Sequence, residues 1–149
     1  MLFLVIRTAV EGDIPEILEM CAHFWSETIY DEPFDPDYTV NMVKLSLDHE
    51  LLAVVDLNGV VGFVAGIKSP LLGNGDTLTG TELAWWIEPE HRKGRLGIDL
   101  MRYIEKLAKI QGVKYWNMIS MESSAPEVAN RIYERLGYSK SETSYTKVI

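Results

Sequence analysis

The sequence predicts a mixed α/β fold in which short β-strands and amphipathic helices share one core. Three observations carry that prediction. The stretch Leu83 to Ala108 passes from an apolar run, ended by Pro89, through a basic glycine-bearing loop into a helix with Met101, Ile104, Leu107 and Ala108 on one face. Asn58-Gly59 separates two apolar β-rich runs, the strongest short hairpin signal. Ile14, Ile17, Leu18, Cys21, Phe24 and Trp25 recur at helical spacing.

The elements follow in order. Leu2 to Thr8 is β-rich and predicts the first strand. Asp13 opens a helix, with Asp13 and Glu16 at capping-box spacing and Pro15 in the first turn, where proline is tolerated. A second helix is expected over Asp37 to Asp48, with Val40, Val43 and Leu47 inward. Leu51 to Leu57 and Val60 to Ile67 form the hairpin, and Gly62 and Gly66 mark bulges or close backbone approach. Ser69 to Gly80, with one proline and three glycines, is expected as a loop. Thr79 to Glu88 is the next strand; alternation puts Leu83, Trp85 and Ile87 on one side and Glu82, Ala84 and Trp86 on the other. A helix from Gly97 to Gln111 stops at Gly112, and Lys114 to Ser120 is a strand. Ser124 and Glu127 form a capping box for a last helix whose buried stripe is Val128, Ala129, Ile132 and Leu136. Tyr138 to Ile149 is expected to return as one or two strands.

With 149 residues and 47% apolar content, residues 1–149 are expected to form one domain with a sizeable core. The formal net charge of −8 disfavours a nucleic-acid partner, which needs a basic face. One cysteine, Cys21, excludes an internal disulfide and fits a reducing compartment. It lies on the apolar stripe of the first helix with no cue for a nearby base, so it is a structural residue rather than a nucleophile. The opening MLFLVIRTA is too short for a signal or membrane span, so no membrane association is expected and the cytoplasm is the expected location. No metal-ligand spacing occurs. A Rossmann-type dinucleotide binder is a disfavoured rival, because Leu2 to Gly12 lacks the glycine fingerprint after the first strand.

Two places carry chemistry. The first is the loop from His91 to Gly97. Backbone N–H groups at a helix start have no intrahelical partner and sit at the positive end of the dipole, and Arg92, Lys93 and Arg95 add charge there. The loop is either a phosphate cradle or an ordinary solvated basic turn. The second is Glu82. A carboxylate in an apolar strand is costly to bury unless paired or protonated, and burial raises its pKa toward the range of a general base. A solvated strand start or an arginine partner is the structural alternative. Glu27, Asp31, Glu32, Asp35 and Asp37 form an acidic segment without Lys or Arg, interleaved with Trp25, Tyr30, Phe34 and Tyr38. It is either a solvated loop or an anionic mouth for a cationic substrate.

Arg92-Lys93-Gly94-Arg95-Leu96-Gly97, preceded by a strand and followed by an amphipathic helix, resembles the coenzyme A loop Q/R-x-x-G-x-G/A of the GNAT N-acetyltransferase superfamily. It matches at Arg92 and Gly97 and departs at Arg95, with a glycine one residue earlier. Asn130 to Tyr138 resembles the N-x-x-Y-x-x-x-G-F/Y ending of the same family, and the opening Arg7 to Pro15 is also similar to family starts.

The resemblance implies a central, mostly antiparallel sheet, splayed between its fourth and fifth strands and flanked by about four helices, with acetyl-CoA in the gap. It implies that Trp86, Ile87, Arg92, Lys93, Gly94, Arg95, Leu96, Gly97, Ile98, Asn130 and Tyr133 bind the coenzyme. It implies that Trp25, Glu27, Tyr30 and Glu82 border the acceptor, and that Glu82 and Tyr133 serve as base and acid in direct acetyl transfer to an amine. A small-molecule amine is the implied partner, and a homodimer is common in the family. The rival function is a non-catalytic acyl-CoA-binding sensor or scaffold, which the Arg95 departure allows.

Overall fold

The computed structural model describes residues 4–149. Among these, β1 (Leu4–Thr8), β2 (Leu52–Leu57), β3 (Val60–Leu71), β4 (Asn74–Ile87) and β5 (Val113–Asn117) form one sheet in chain order. Strands β1 to β4 pair antiparallel, and β5 joins β4 in parallel. The helices are α1 (Ile14–Trp25), α2 (Pro36–Asp48), α3 (Leu96–Ile110) and α4 (Pro126–Arg135). Leu2 and Phe3 of the expected first strand lie outside the described residues.

The sheet is covered on both faces. Ile14, Ile17, Met20 and Cys21 of α1 and Val43 of α2 pack on Leu52, Val54, Phe63 and Ala65. Leu100, Ile104 and Ala108 of α3 pack on Ala53, Val55 and Val64 from the other side. Strand β2 sends alternate residues to both cores, which explains its unbroken apolar sequence. At the β2–β3 turn, Asn58 and Gly59 both have positive φ, as a tight hairpin requires.

Several expectations are corrected. Ser69 to Gly80 is not a loop. Strands β3 and β4 stay paired out to Leu71 and Asn74, with Ser69 opposite Thr79 and Pro70 opposite Leu78. Beyond Ala65, β3 no longer pairs with β2, and such an edge tolerates proline. Neither capping box forms. Asp13 ends a 3-10 turn in αR conformation and faces back toward Arg7 and the Val10 N–H, while Glu16 accepts from the Val60 N–H at 2.9 Å. Ser124 donates to Glu27, and the N-cap of α4 is Ala125 with φ of 41°. The exposed Val128 falls outside the buried stripe of α4, where Tyr133 is the most buried residue. Tyr138 to Ile149 forms no strand. Its apolar residues Tyr145, Val148 and Ile149 find no core to enter and are exposed.

Candidate active site

Strands β4 and β5 begin as neighbours and then part. Their register runs from Leu78 opposite Val113 to Thr81 opposite Asn117. Asn117 Nδ2 closes this last rung, donating to Gly80 O at 3.0 Å and to Thr79 Oγ1 at 2.9 Å. Trp116 lies flat across the sheet here. A Cβ on Gly66 or Gly80 would sit 2.3 or 2.6 Å from its ring, so the indole needs both positions bare. Past Thr81, the β5 side of β4 carries no strand partner among the described residues, and the gap opens at Glu82.

A bulge fixes where Glu82 points. Gly66 pairs with Glu82, but Ala65 pairs with Ala84, leaving Leu83 as the extra residue. The expected alternation is therefore broken: Leu83 packs with Ala84 and Trp86 on the α1 side, while Trp85 and Ile87 pack under α3. Glu82 is freed from the Ala84 side, and its charge acts on the phenol of Tyr133, whose ring lies 6.0 Å from that of Trp85. The Glu82 residue is 4% exposed and, among the described residues, has no cationic partner. Burial pushes its carboxyl up to about 8, and the Ile119 N–H pulls the other way.

Tyr133 Oη donates to Ile119 O at 2.6 Å. The Ile119 peptide thus sits between the two expected catalytic groups. Burial, and then the Glu82 charge, raise the Tyr133 phenol well above its ordinary pKa, so it keeps its proton. Sequence reasoning missed Ile119 because its contribution is made by backbone atoms, which leave no mark on residue type. Trp85 Nε1 and Ser120 Oγ, in the same neighbourhood, are buried without hydrogen-bond partners. Such atoms are rare in folded proteins and suit completion by a polar ligand or water.

The basic loop divides into two parts. Arg92 turns back onto β4: Nε donates to Ile87 O at 2.7 Å, and the guanidinium lies 4.3 Å from the Trp86 ring centroid. Trp86 itself is buried against α1, beside Phe24 and His23. Lys93, Gly94 and Arg95 are exposed, and Leu96, Gly97 and Ile98 form the first turn of α3. Gly94 has φ of +100°, the left-handed region that glycine favours, so the turn comes one residue before the family position. Gly97 permits close approach, since a Cβ there would lie 3.2 Å from the Trp85 ring. The loop therefore presents unpaired amides to an anion despite Arg95. Its residues fit a coenzyme diphosphate. Asn130 is exposed one turn before Tyr133.

The expected acceptor residues are held by neighbouring loops. Trp25 stacks on Tyr30 with ring centroids 5.5 Å apart and donates to Glu32 O at 2.7 Å. The Glu27 carboxylate accepts from Ser124 Oγ and its carbonyl from Ser123 Oγ. These bonds tie the segment after α1 to the loop before α4, next to Ile119. Asp35 is the N-cap of α2, bonded to the Tyr38 N–H.

The model of the acetyltransferase (GNAT) domain matches residues 48–140, more than half of the chain. The chain belongs to the GNAT acetyltransferase family. Solved structures share the fold. A Trypanosoma brucei acetyltransferase superposes with a TM-score of 0.70 at 20% identity, covering 99% of this chain and 100% of its own. A predicted acetyltransferase with acetyl-CoA from Clostridium acetobutylicum gives 0.74 at 15%, covering 98% and 96%. An aminoglycoside N-acetyltransferase in complex with CoA gives 0.77 at 11%, covering 100% and 96%. Sequence comparison with curated proteins gives no significant match. Among the described residues, no helix is long and apolar enough to cross a membrane.

Proposed function

We propose that the protein is an acetyl-CoA-dependent N-acetyltransferase that acylates a primary amine of a small cationic acceptor by direct attack in a ternary complex. The observation that carries this reading is Glu82, buried without a cationic partner among the described residues, at the point where β4 and β5 part and near enough for its charge to act on Tyr133. The coenzyme complexes of the Clostridium protein and the aminoglycoside enzyme support the choice of cofactor.

When bound, the coenzyme supplies an activated acetyl group. The amides of Leu96 to Ile98, with Arg95, would hold its diphosphate. An amine must be neutral to attack, and only the ionised form of Glu82 can accept its proton; with the carboxyl pushed up to about 8, that form is the minority at pH 7 and grows as pH rises through about 8, so turnover should rise over the same range. Tyr133 keeps its proton on Oη and is suited to deliver it to a departing thiolate. The acidic residues after α1 favour a cationic acceptor through their field.

Thermal unfolding with acetyl-CoA, beside NADH and ATP as controls, tests the cofactor, since a ligand that binds only the native state raises apparent stability. A shift with acetyl-CoA alone is expected, followed by transfer to members of a cationic amine panel. Tyr133→Phe is expected to lower kcat roughly 10- to 100-fold at unchanged coenzyme affinity. Unchanged turnover would remove the acid role. Coenzyme binding without transfer to any amine would identify an acyl-CoA-binding module instead.

A further inference from the structure

A cleft of about 290 Å³ opens beside the start of α3, lined by Gly94, Arg95, Ile98, Arg102, Arg135 and Leu136. Three guanidinium groups share it in a protein of net charge −8. Arg95 has a distant acid, Asp99 Oδ1 at 3.8 Å. Among the described residues, Arg102 and Arg135 make no ion pair and no side-chain hydrogen bond. Like charges gathered in one cleft repel, and a bound anion offsets that cost. Two different helices supply the pair, Arg102 from α3 and Arg135 from the last turn of α4.

Arg102 lies one turn beyond Ile98, which places it about 6 Å further along the helix axis from the free amides. The cleft therefore extends the anion site rather than duplicating it. Guanidinium groups are matched to phosphate by planar, paired donors. A ligand with a diphosphate and a separate phosphomonoester would use both stations. Coenzyme A has both groups, whereas NADH and ATP have no separate phosphomonoester.

We propose that Arg102 and Arg135 form a phosphomonoester subsite that recognises the 3′-phosphate of coenzyme A and sets its preference over diphosphate-only nucleotides. This inference rests on the acetyl-CoA reading above. The test is calorimetric titration of wild type, Arg102→Gln, Arg135→Gln and Arg131→Gln with coenzyme A and with 3′-dephospho-coenzyme A. Arg131 is a control on the same helix, outside the cleft, with Nε on Glu127 O. All three side chains are exposed, so the variants are expected to fold, and far-UV circular dichroism checks that.

Wild type is expected to bind coenzyme A about tenfold or more tightly than the dephospho form. Each cleft variant should lose most of that preference through weaker binding of coenzyme A alone, and Arg131→Gln should keep it. Equal wild-type affinities would overturn the subsite while leaving the acetyl-CoA reading intact. Loss of preference in Arg131→Gln would overturn it in favour of a general field effect. No binding of either compound would overturn both.

Discussion

Two buried acids in this molecule have opposite surroundings. Asp13, 6% exposed, accepts from both terminal nitrogens of the Arg7 guanidinium, at 2.7 and 2.9 Å, and from the Val10 N–H at 2.8 Å. Arg7 reaches Asp56 as well, at 3.0 Å. The Arg7 hydrogen bond holds the Asp13 carboxyl below its ordinary pKa. Glu82, 4% exposed, has no cationic partner among the described residues, and burial pushes its carboxyl up to about 8. The first acid ties the turn before α1 to Arg7 of β1, and the same arginine holds Asp56 of β2. The second is left unpaired at the mouth of a splayed sheet. A charge that folding has neutralised is part of the scaffold, while one left without a partner is available for proton transfer.

Breaking the unpaired acid should have the largest effect. Glu82→Gln is expected to lower kcat/KM by about 100-fold or more at pH 7 while leaving the melting temperature unchanged or higher. Steady-state kinetics and thermal unfolding measure both. A large loss of stability with little loss of rate would make Glu82 a packing residue.

Breaking the paired acid should do the reverse. Arg7→Gln leaves Asp13 buried without its cation and is expected to cost about 2 kcal/mol in urea unfolding, the 30% exposure of the arginine side chain keeping the value modest. Its turnover per folded molecule should match wild type.

The smallest and sharpest contrast lies in pH. The folded pKa of Glu82 is above its ordinary value of 4.5, so its contribution to stability is fully present below about 4.5 and is lost as pH rises through about 8. That of Asp13 is below its ordinary 3.8, so its contribution is present above that value and is lost as pH falls through the folded pKa. Melting curves from pH 5 to 9 should fall with pH in wild type more steeply than in Glu82→Gln. Parallel curves would show that Glu82 titrates as a solvated carboxyl.

The sequence disclosed the parts that depend on local pattern. The helices, the Asn58-Gly59 hairpin, the loop leading into α3, and an acid in an apolar strand all follow from spacing and residue type. The phase of β4 was not legible, because a bulge is set by how two strands pair and Leu83 looks like any other apolar residue. The paired ends of β3 and β4 were hidden by Pro70 and the glycines, whose turn propensity was overridden where the ribbon has a free edge. Both capping boxes failed because each acid or hydroxyl found a tertiary partner: Arg7 for Asp13, Val60 for Glu16 and Glu27 for Ser124. The opening motif that joins Arg7 to Asp13 thus owes its spacing to an ion pair rather than to helix initiation.

The most direct measurement is the ionisation of Glu82 itself. Carbon-13 NMR of the glutamate side-chain carboxyls, assigned by comparison with Glu82→Gln, follows each group through a pH titration of the free protein. One resonance absent from the variant should titrate near pH 8, far from the ordinary glutamate value of 4.5. A midpoint near 4.5 for that resonance would mean that Glu82 is solvated or paired in solution, and would contradict its role as the base.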